Sequence, residues 1–213
     1  MHAAVDRLLV VLLLVNFFLL GTSRLRALIT GSAAQGVILA ALVLSVHGEI
    51  TLQSVLIALA TVALKSIVIP SMLSRAMRDA AIHREVEPVV GFVPSLLLGG
   101  VGTGLSLVFA RTLPLAPEHV GSLLVPSSLA TAFTGFLLLA TRRKAITQVV
   151  GYLALENGVF VMGLTLVQAM PVFVEMAVLL DLVVAIFVMG IIIEHISREF
   201  SSIDTTRLSS LKE

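Results

Sequence analysis

Three charged residues interrupt sequence runs that are otherwise largely apolar: Lys65, Glu156 and Asp181. Placing such a side chain at the centre of a bilayer costs about 2.5–3.5 kcal/mol. Charges of this kind usually face the interior of a helix bundle, where they pair with one another or relay protons. The three residues therefore indicate either a proton path or a structural ion pair inside a membrane protein.

The three side chains are predicted to lie at a similar depth. Glu156 is ten residues from the cytoplasmic end of its run, which is about 15 Å at ~1.5 Å per residue. Asp181 is nine residues from the outer end of its run, and Lys65 is fourteen residues from the outer end of another. A lateral row near the midplane makes all three candidate proton-path residues.

Neutral polar residues accompany these charges. Tyr152 precedes Glu156 by four residues and shares its helix face, and Thr61 stands in the same relation to Lys65. Further candidate supporting side chains are Gln35, Gln148 and Asn157. Three residues nearer the ends of the last apolar run are either mouths of the path or ordinary interfacial residues: Glu175, Glu194 and His195.

Composition requires a membrane to surround these residues. Of 213 residues, 58% are hydrophobic and 13% charged, about half the charge of an average soluble domain. The net charge of +1 gives no reason to expect nucleic-acid binding. The chain has no cysteine, which excludes iron–sulfur clusters and thiolate-bound zinc on this polypeptide. Its five histidines show no paired ligand spacing, and no nucleotide-binding or hydrolase motif is present. No metal site is predicted.

Apolar runs bounded by charge, glycine or proline predict an all-α integral membrane protein with seven transmembrane helices. The runs lie near 5–22, 26–46, 51–74, 93–111, 120–141, 146–167 and 172–195. The first run is not followed by a small-residue cleavage site, so we expect it to be retained as a helix. The polar stretch 75–90 is the longest predicted connection, and a Ser-rich tail follows the last run.

The basic residues give an independent test of seven crossings. With that count, eleven of the fourteen lie on one side: Arg24, Arg26, Arg75, Arg78, Arg84, Arg142, Arg143, Lys144, Arg198, Arg207 and Lys212. Only Arg7 and Arg111 lie on the other side. Because basic loops stay in the cytoplasm, we predict that the N-terminus is outside and the C-terminus is cytoplasmic.

The chain also contains a weak internal repeat. Residues 34–44 (AQGVILAALVL) align with residues 156–166 (ENGVFVMGLTL) at an offset of 122. Each stretch follows a short basic turn and belongs to the middle helix of a three-helix unit. We therefore divide the chain into 1–92 (first unit and a cytoplasmic loop), 93–119 (linking helix), 120–196 (second unit) and 197–213 (tail). The linking helix is rich in glycine, and its Gly100 and Gly104 predict close helix packing or a gate.

A basic turn, a helix carrying Glu-Asn and a following helix with a mid-span acid resemble the K-type membrane subunit of respiratory complex I (NuoK) and its C-type counterpart in Mrp antiporters. Two such units in one chain, with QVVGYLALENGVF at 148–160, resemble hydrogenase-4 component E. The resemblance is closer in the second unit, where Glu156 and Asp181 match the family's membrane glutamates. In the first unit Ala34, Gln35 and Lys65 depart from that pattern.

The resemblance implies a non-catalytic membrane subunit of a complex I-like group 4 NiFe hydrogenase or formate hydrogenlyase. It implies no cofactor on this chain, with NiFe and Fe–S centres in partner subunits. The implied partners are antiporter-like membrane subunits, a membrane protein like the H-type subunit of complex I, and the hydrogenase large and small subunits. The implied location is a bacterial or archaeal cell membrane, with lipid around the helices.

Two other functions fit the same residues. The charges could form the substrate site of a cation/proton antiporter subunit or a small ion-coupled transporter. Alternatively, the chain could be an assembly scaffold in which the charges serve only packing.

Overall fold

A computed structural model describes residues 2–46, 52–79, 88–113 and 121–165. The helices in these ranges are α1 (His2–Gly21), α2 (Leu25–Val46), α3 (Leu52–Thr61), α4 (Ile69–Asp79), α5 (Phe92–Ala110), α6 (Leu124–Thr141) and α7 (Ala145–Leu164). A π-helical segment, Val62–Val68, connects α3 to α4 without a break. The predicted seventh run and the tail lie outside the described residues, as do Asp181, Glu175, Glu194 and His195.

The described chain forms a multi-pass helical membrane protein. Six helical stretches are long and apolar enough to cross a bilayer: Ala3–Gly21, Leu25–Val46, Ser54–Arg78, Phe92–Ala110, Leu124–Thr141 and Ala145–Leu164. They confirm the first six predicted runs. We call the end of the bundle that carries the turns 22–24 and 142–144 the basic end.

The third stretch is longer than predicted, because its helix continues to Asp79 rather than ending at residue 74. Arg75 and Arg78 interrupt the apolar run, but Leu73, Ala76 and Met77 lie on the opposite face and are buried. An amphipathic last turn therefore extends the helix into the stretch predicted to be a polar connection.

The helices enclose α2 on several sides. It packs against α1, α3, the π-helical segment, α4 and α7, while α1 packs against α5 and α6. The most extensive contact joins α6 to α7. There, a Cβ on Gly135 would overlap the backbone nitrogen of Leu155. Only a glycine permits the two backbones to approach this closely.

The exposed face of α5 has the opposite character. Gly100 and Gly104 lie on it, and a Cβ on either would meet nothing within 4 Å. Among the described residues, the predicted close packing instead involves their neighbours: Gly99 faces Leu20, and Gly102 faces Phe133.

The interior of the bundle is arranged in three layers. One apolar cluster occupies the basic end and includes Leu20, Leu25, Leu73, Leu138 and Val150. A second occupies the other end and includes Leu9, Leu42, Ile57, Leu124 and Val161. Buried polar residues lie between these two clusters in the sequence of every helix that contributes to both. We call the six of these residues whose side chains are linked in one hydrogen-bonded network the polar layer: Asn16, Gln35, Lys65, Thr131, Glu156 and Asn157.

One basic residue at the basic end is buried rather than solvated. Arg142 donates from its guanidinium to the carbonyl oxygens of Leu20 (2.8 Å) and Val90 (3.1 Å). The same group lies 4.6 Å from the centre of the Phe92 ring. Because α1 ends at Gly21, the Leu20 carbonyl has no partner within its own helix. Arg142 therefore ties the end of α1 to the start of α5.

Candidate functional site

The centre of the polar layer is an ion pair between the third and sixth spans. The Nζ of Lys65 donates to Oε1 of Glu156 at 2.9 Å. Both side chains are buried, with relative exposures of 3% and 7%. Removing two charges from water costs several kcal/mol per ion, and a buried pair is stable only when further hydrogen bonds complete it.

The ammonium group of Lys65 makes a second hydrogen bond. Its Nζ also donates to Oδ1 of Asn157 at 2.9 Å, so consecutive residues of α7 hold one ammonium group. The Phe160 ring, one turn further along α7, has its centre 5.3 Å from the same Nζ. An aromatic face near a desolvated cation adds further electrostatic attraction.

The π-helical segment is what carries Lys65. The N–H of Ile69 bonds to the carbonyl oxygen of Leu64, five residues back, instead of four. Pro70 follows directly and has no N–H to offer an α-helical bond. Such wide turns are frequent at functional sites.

Close contact with α2 fixes this segment. The hydroxyl of Ser66 donates to the carbonyl oxygen of Ala33 at 2.9 Å. A Cβ on Gly36 would lie 2.9 Å from the Cβ of Lys65 and 2.5 Å from the Ser66 hydroxyl. The absence of a side chain at position 36 therefore lets the third span lie against α2.

Hydrogen bonds continue from Asn157 across three more helices. Its Nδ2 donates to Oε1 of Gln35 (3.1 Å), and the Nε2 of Gln35 donates to Oδ1 of Asn16 (2.7 Å). The Nδ2 of Asn16 donates to Oγ1 of Thr131 at 2.8 Å. Thr131 donates in turn to the carbonyl oxygen of Ser127 at 2.7 Å. We call the four side chains of Asn157, Gln35, Asn16 and Thr131 the polar chain.

The structure thus brings together four of the residues that the sequence singled out: Lys65, Glu156, Asn157 and Gln35. Three others lie apart from them. Thr61 donates to the carbonyl of Ile57 in its own helix, and Gln148 donates to the carbonyl of Arg142 at the basic end. Tyr152 is half-buried against the apolar cluster of the basic end.

Sequence reasoning missed Asn16 and Thr131. Asn16 was detectable, because it is the only polar residue between Arg7 and Gly21. Thr131 gave no such signal, because α6 contains several serines and threonines. Hydroxyls in apolar helices commonly bond to their own backbone, so a threonine that also joins a network does not stand out.

The arrangement provides a carboxylate that can bind a proton, next to a cation that compensates its charge. It lies between two apolar clusters, where a proton on Glu156 is shielded from bulk solvent. Such a pair can serve proton transfer or the binding of a small cation, and it can also serve as a structural contact.

One related protein aligns with nearly the whole chain. The sequence is 32% identical over 208 residues to "Uncharacterized protein Rv0085" of Mycobacterium tuberculosis. The alignment covers 95% of this chain and 93% of that protein. No protein-family model matches the chain, and no solved structure matches it.

Proposed function

The chain belongs to the same family as the mycobacterial protein Rv0085, and we propose that it is a non-catalytic membrane subunit of a proton-translocating redox complex. The complex would be of the complex I-like NiFe hydrogenase type. The observation that carries this proposal is the buried pair of Lys65 and Glu156, held at 2.9 Å between two apolar clusters. Nickel and iron–sulfur chemistry would take place in partner subunits.

In this proposal Glu156 is the residue that exchanges the proton. When a proton arrives, the carboxylate loses its charge and its attraction for Lys65 falls. When the proton leaves, the ion pair forms again. Asp181, which the sequence places near the same depth, would be the next proton-binding residue along the membrane.

The polar layer also supports the proposed internal repeat. Asn157 and Gln35, which hydrogen-bond to each other, are 122 residues apart. This separation equals the offset at which 34–44 aligns with 156–166. In two parallel repeats related by an axis along the membrane normal, equivalent residues near the axis meet. We propose such an axis between α2 and α7.

The proposed location is a bacterial or archaeal cell membrane, with the basic end in the cytoplasm. The turns 22–24 and 142–144 carry Arg24, Arg142, Arg143 and Lys144 at this end. An excess of basic residues in short loops is the usual mark of the cytoplasmic side.

Substitution of Glu156 in the assembled complex tests the function. Glu156→Gln should abolish proton movement coupled to the redox reaction while leaving electron transfer in the partner subunits. The double variant Lys65→Gln/Glu156→Gln removes both charges but keeps a donor for Asn157, so it should assemble and also fail to move protons. Unchanged coupled proton movement in both variants would refute the proposal.

A cation/proton antiporter subunit or a small ion-coupled transporter is the alternative favoured by the same ion pair. Purification in mild detergent separates the two: the redox-complex proposal requires a hydrogenase-like large subunit to co-purify. A third outcome is a scaffold, in which substitutions at Lys65 or Glu156 lower the yield of the complex but leave its proton-to-electron ratio unchanged.

A further inference from the structure

The polar chain has a single direction. Asn157, Gln35 and Asn16 each accept a hydrogen bond on the oxygen nearer to Lys65 and donate from the nitrogen further away. Thr131 follows the same rule with its hydroxyl. All the donors therefore point away from the ammonium and toward the carbonyl of Ser127.

The two ends of the chain dictate this direction. An ammonium group can only donate, so Asn157 must turn its oxygen toward Lys65 and its nitrogen toward Gln35. The same constraint then passes to Gln35, Asn16 and Thr131. At the far end the carbonyl of Ser127 can only accept. Reversing Asn157 or Gln35 would leave two donors facing each other on one side of the amide and two acceptors on the other, and reversing Asn16 would set two donors face to face and take the Thr131 hydroxyl from the Ser127 carbonyl.

The aligned dipoles of the polar chain stabilise the positive charge of Lys65 through Asn157. Each C=O dipole directs its negative end toward the Lys65 side, and hydrogen bonds in series polarise one another. The four side chains are buried on four different helices, where a low local dielectric strengthens these interactions. Lys65 thus has a source of stabilisation that does not depend on Glu156.

Resting on the proposed function, we propose that Asn157, Gln35, Asn16 and Thr131 act together as positioning residues for Lys65. They hold the ammonium group on Asn157 while Glu156 exchanges a proton, so that Lys65 stays in place as a fixed positive charge. The amides transfer no proton themselves. Their effect on Glu156 is exerted through the position of the lysine.

Thr131 offers the sharpest test because three side chains separate it from Lys65. Thr131→Val keeps the volume but removes the hydroxyl, leaving the Nδ2 of Asn16 without its acceptor, whereas Thr131→Ser keeps the hydroxyl. The matched control is Thr141→Val, since Thr141 is also a buried threonine of α6, and its hydroxyl donates to the carbonyl of Leu137 in its own helix.

The first measurement is a double-mutant cycle on the full chain in detergent, read as the midpoint of thermal unfolding. Thr131→Val and Asn157→Leu should each lower the midpoint, by roughly 2–4 °C per hydrogen-bond equivalent. The combined loss should be clearly smaller than the sum, because one break already disrupts the chain. Separated sites without shared partners add, so Thr141→Val should add with Asn157→Leu. Additive losses for Thr131→Val would overturn the proposal.

The second measurement is infrared spectroscopy of the Glu156 carboxyl group, whose band is identified by its loss in Glu156→Gln. Thr131→Val should shift this band, and Thr131→Ser should restore it. A band unchanged in Thr131→Val, or shifted equally by Thr141→Val, would overturn the proposal. If Thr131→Val does not fold, Thr131→Cys supplies a weaker hydrogen-bonding group for the same comparison.

The two proposals fail in different ways. If the losses in the double-mutant cycle are additive, the polar-chain proposal fails, but the result of the Glu156→Gln test of proton movement is not affected. A normal cycle combined with full proton movement in Glu156→Gln would refute the redox-complex function and retain the polar chain as the device that orients Lys65.

Discussion

The role of Arg142 depends on its burial and contacts as well as on its charge. Neighbouring Arg143 is exposed, whereas Arg142 is buried and donates to the carbonyls of Leu20 and Val90. A planar guanidinium reaches two acceptors and stacks on Phe92 at the same time, and an ammonium group cannot reproduce that geometry.

We therefore predict that Arg142→Lys destabilises the protein by about 1.5–3 kcal/mol, the range for hydrogen bonds of a charged group. Arg143→Lys should change stability by less than about 1 kcal/mol, as expected for an exposed charge. Both variants keep the number of basic residues, so orientation in the membrane is unaffected. Thermal unfolding of the purified chain measures the difference, and equal midpoints for the two variants would contradict the role given to Arg142.

Single residues also explain how far sequence alone could predict the site. Lys65 and Glu156 were identified because a charge in an apolar run is costly and rare. Gln148 has the same polar character as Gln35, but it lies in the first turn of α7, where its amide donates to the carbonyl of Arg142 at the start of the preceding turn. Gln148 and Gln35 therefore differ in their distance from the start of their helices and not in residue type.

At the scale of elements, α6 and α7 are joined by close backbone contact as well as by packed side chains. The space for a Cβ at Gly135 is filled by backbone atoms of Leu155 and Gly151, and at Gly158 by backbone atoms of Ala132 and Ser128. Backbone atoms move little, so a methyl group at these positions forces the helices apart. Glu156 and Asn157 lie on the same part of α7 as Gly158 and would move with it.

We predict that Gly135→Ala lowers stability by about 1–3 kcal/mol, the usual cost of overpacking. It should also displace α7 enough to weaken the Lys65–Glu156 pair. Gly104→Ala on the exposed face of α5 is the matched control, since nothing described lies within 4 Å of its added methyl group. That variant should be neutral or slightly stabilising, because alanine favours helices. A control as unstable as Gly135→Ala would show that backbone contact is not the cause.

The helices themselves were largely predictable, and the π-helical segment was not. Apolar run lengths located six spans to within a few residues at most ends. Pro70 was visible as a helix-perturbing residue, but it does not specify a π turn. At this turn Ser66 lies against Gly36 of α2, and a contact between residues 30 apart cannot be read from the sequence.

At the scale of the whole molecule, the polar layer divides the bundle into two apolar halves. Every described span except α5 contributes a side chain to this layer. By contrast α5 is the span with the smallest buried share and presents Val93, Leu97, Val101 and Leu105 outward. It is attached to the bundle through α1 and α6.

The absence of cysteine permits a clean test of the membrane topology. We predict that a membrane-impermeant thiol reagent labels Ser23→Cys from the cytoplasmic side and Thr112→Cys from the outside. Ser209→Cys should be labelled from the cytoplasm if the chain crosses seven times. Labelling of positions 209 and 112 from the same side would instead indicate six crossings. Unmodified protein, which has no thiol, is the background control.

The link between Lys65 and Glu156 also has a consequence for biosynthesis. The two residues are 91 positions apart in the chain. At a translation rate of ~5–20 residues per second, Glu156 is synthesised about 5–18 seconds after Lys65. During that time the third span carries a cation into the bilayer, or into the membrane insertase, with its counter-ion not yet made. The same delay affects Asn16 and Gln35, whose partners on α6 and α7 emerge late. We therefore expect the nascent first half of the protein to stay in contact with the insertion machinery until the second half is synthesised.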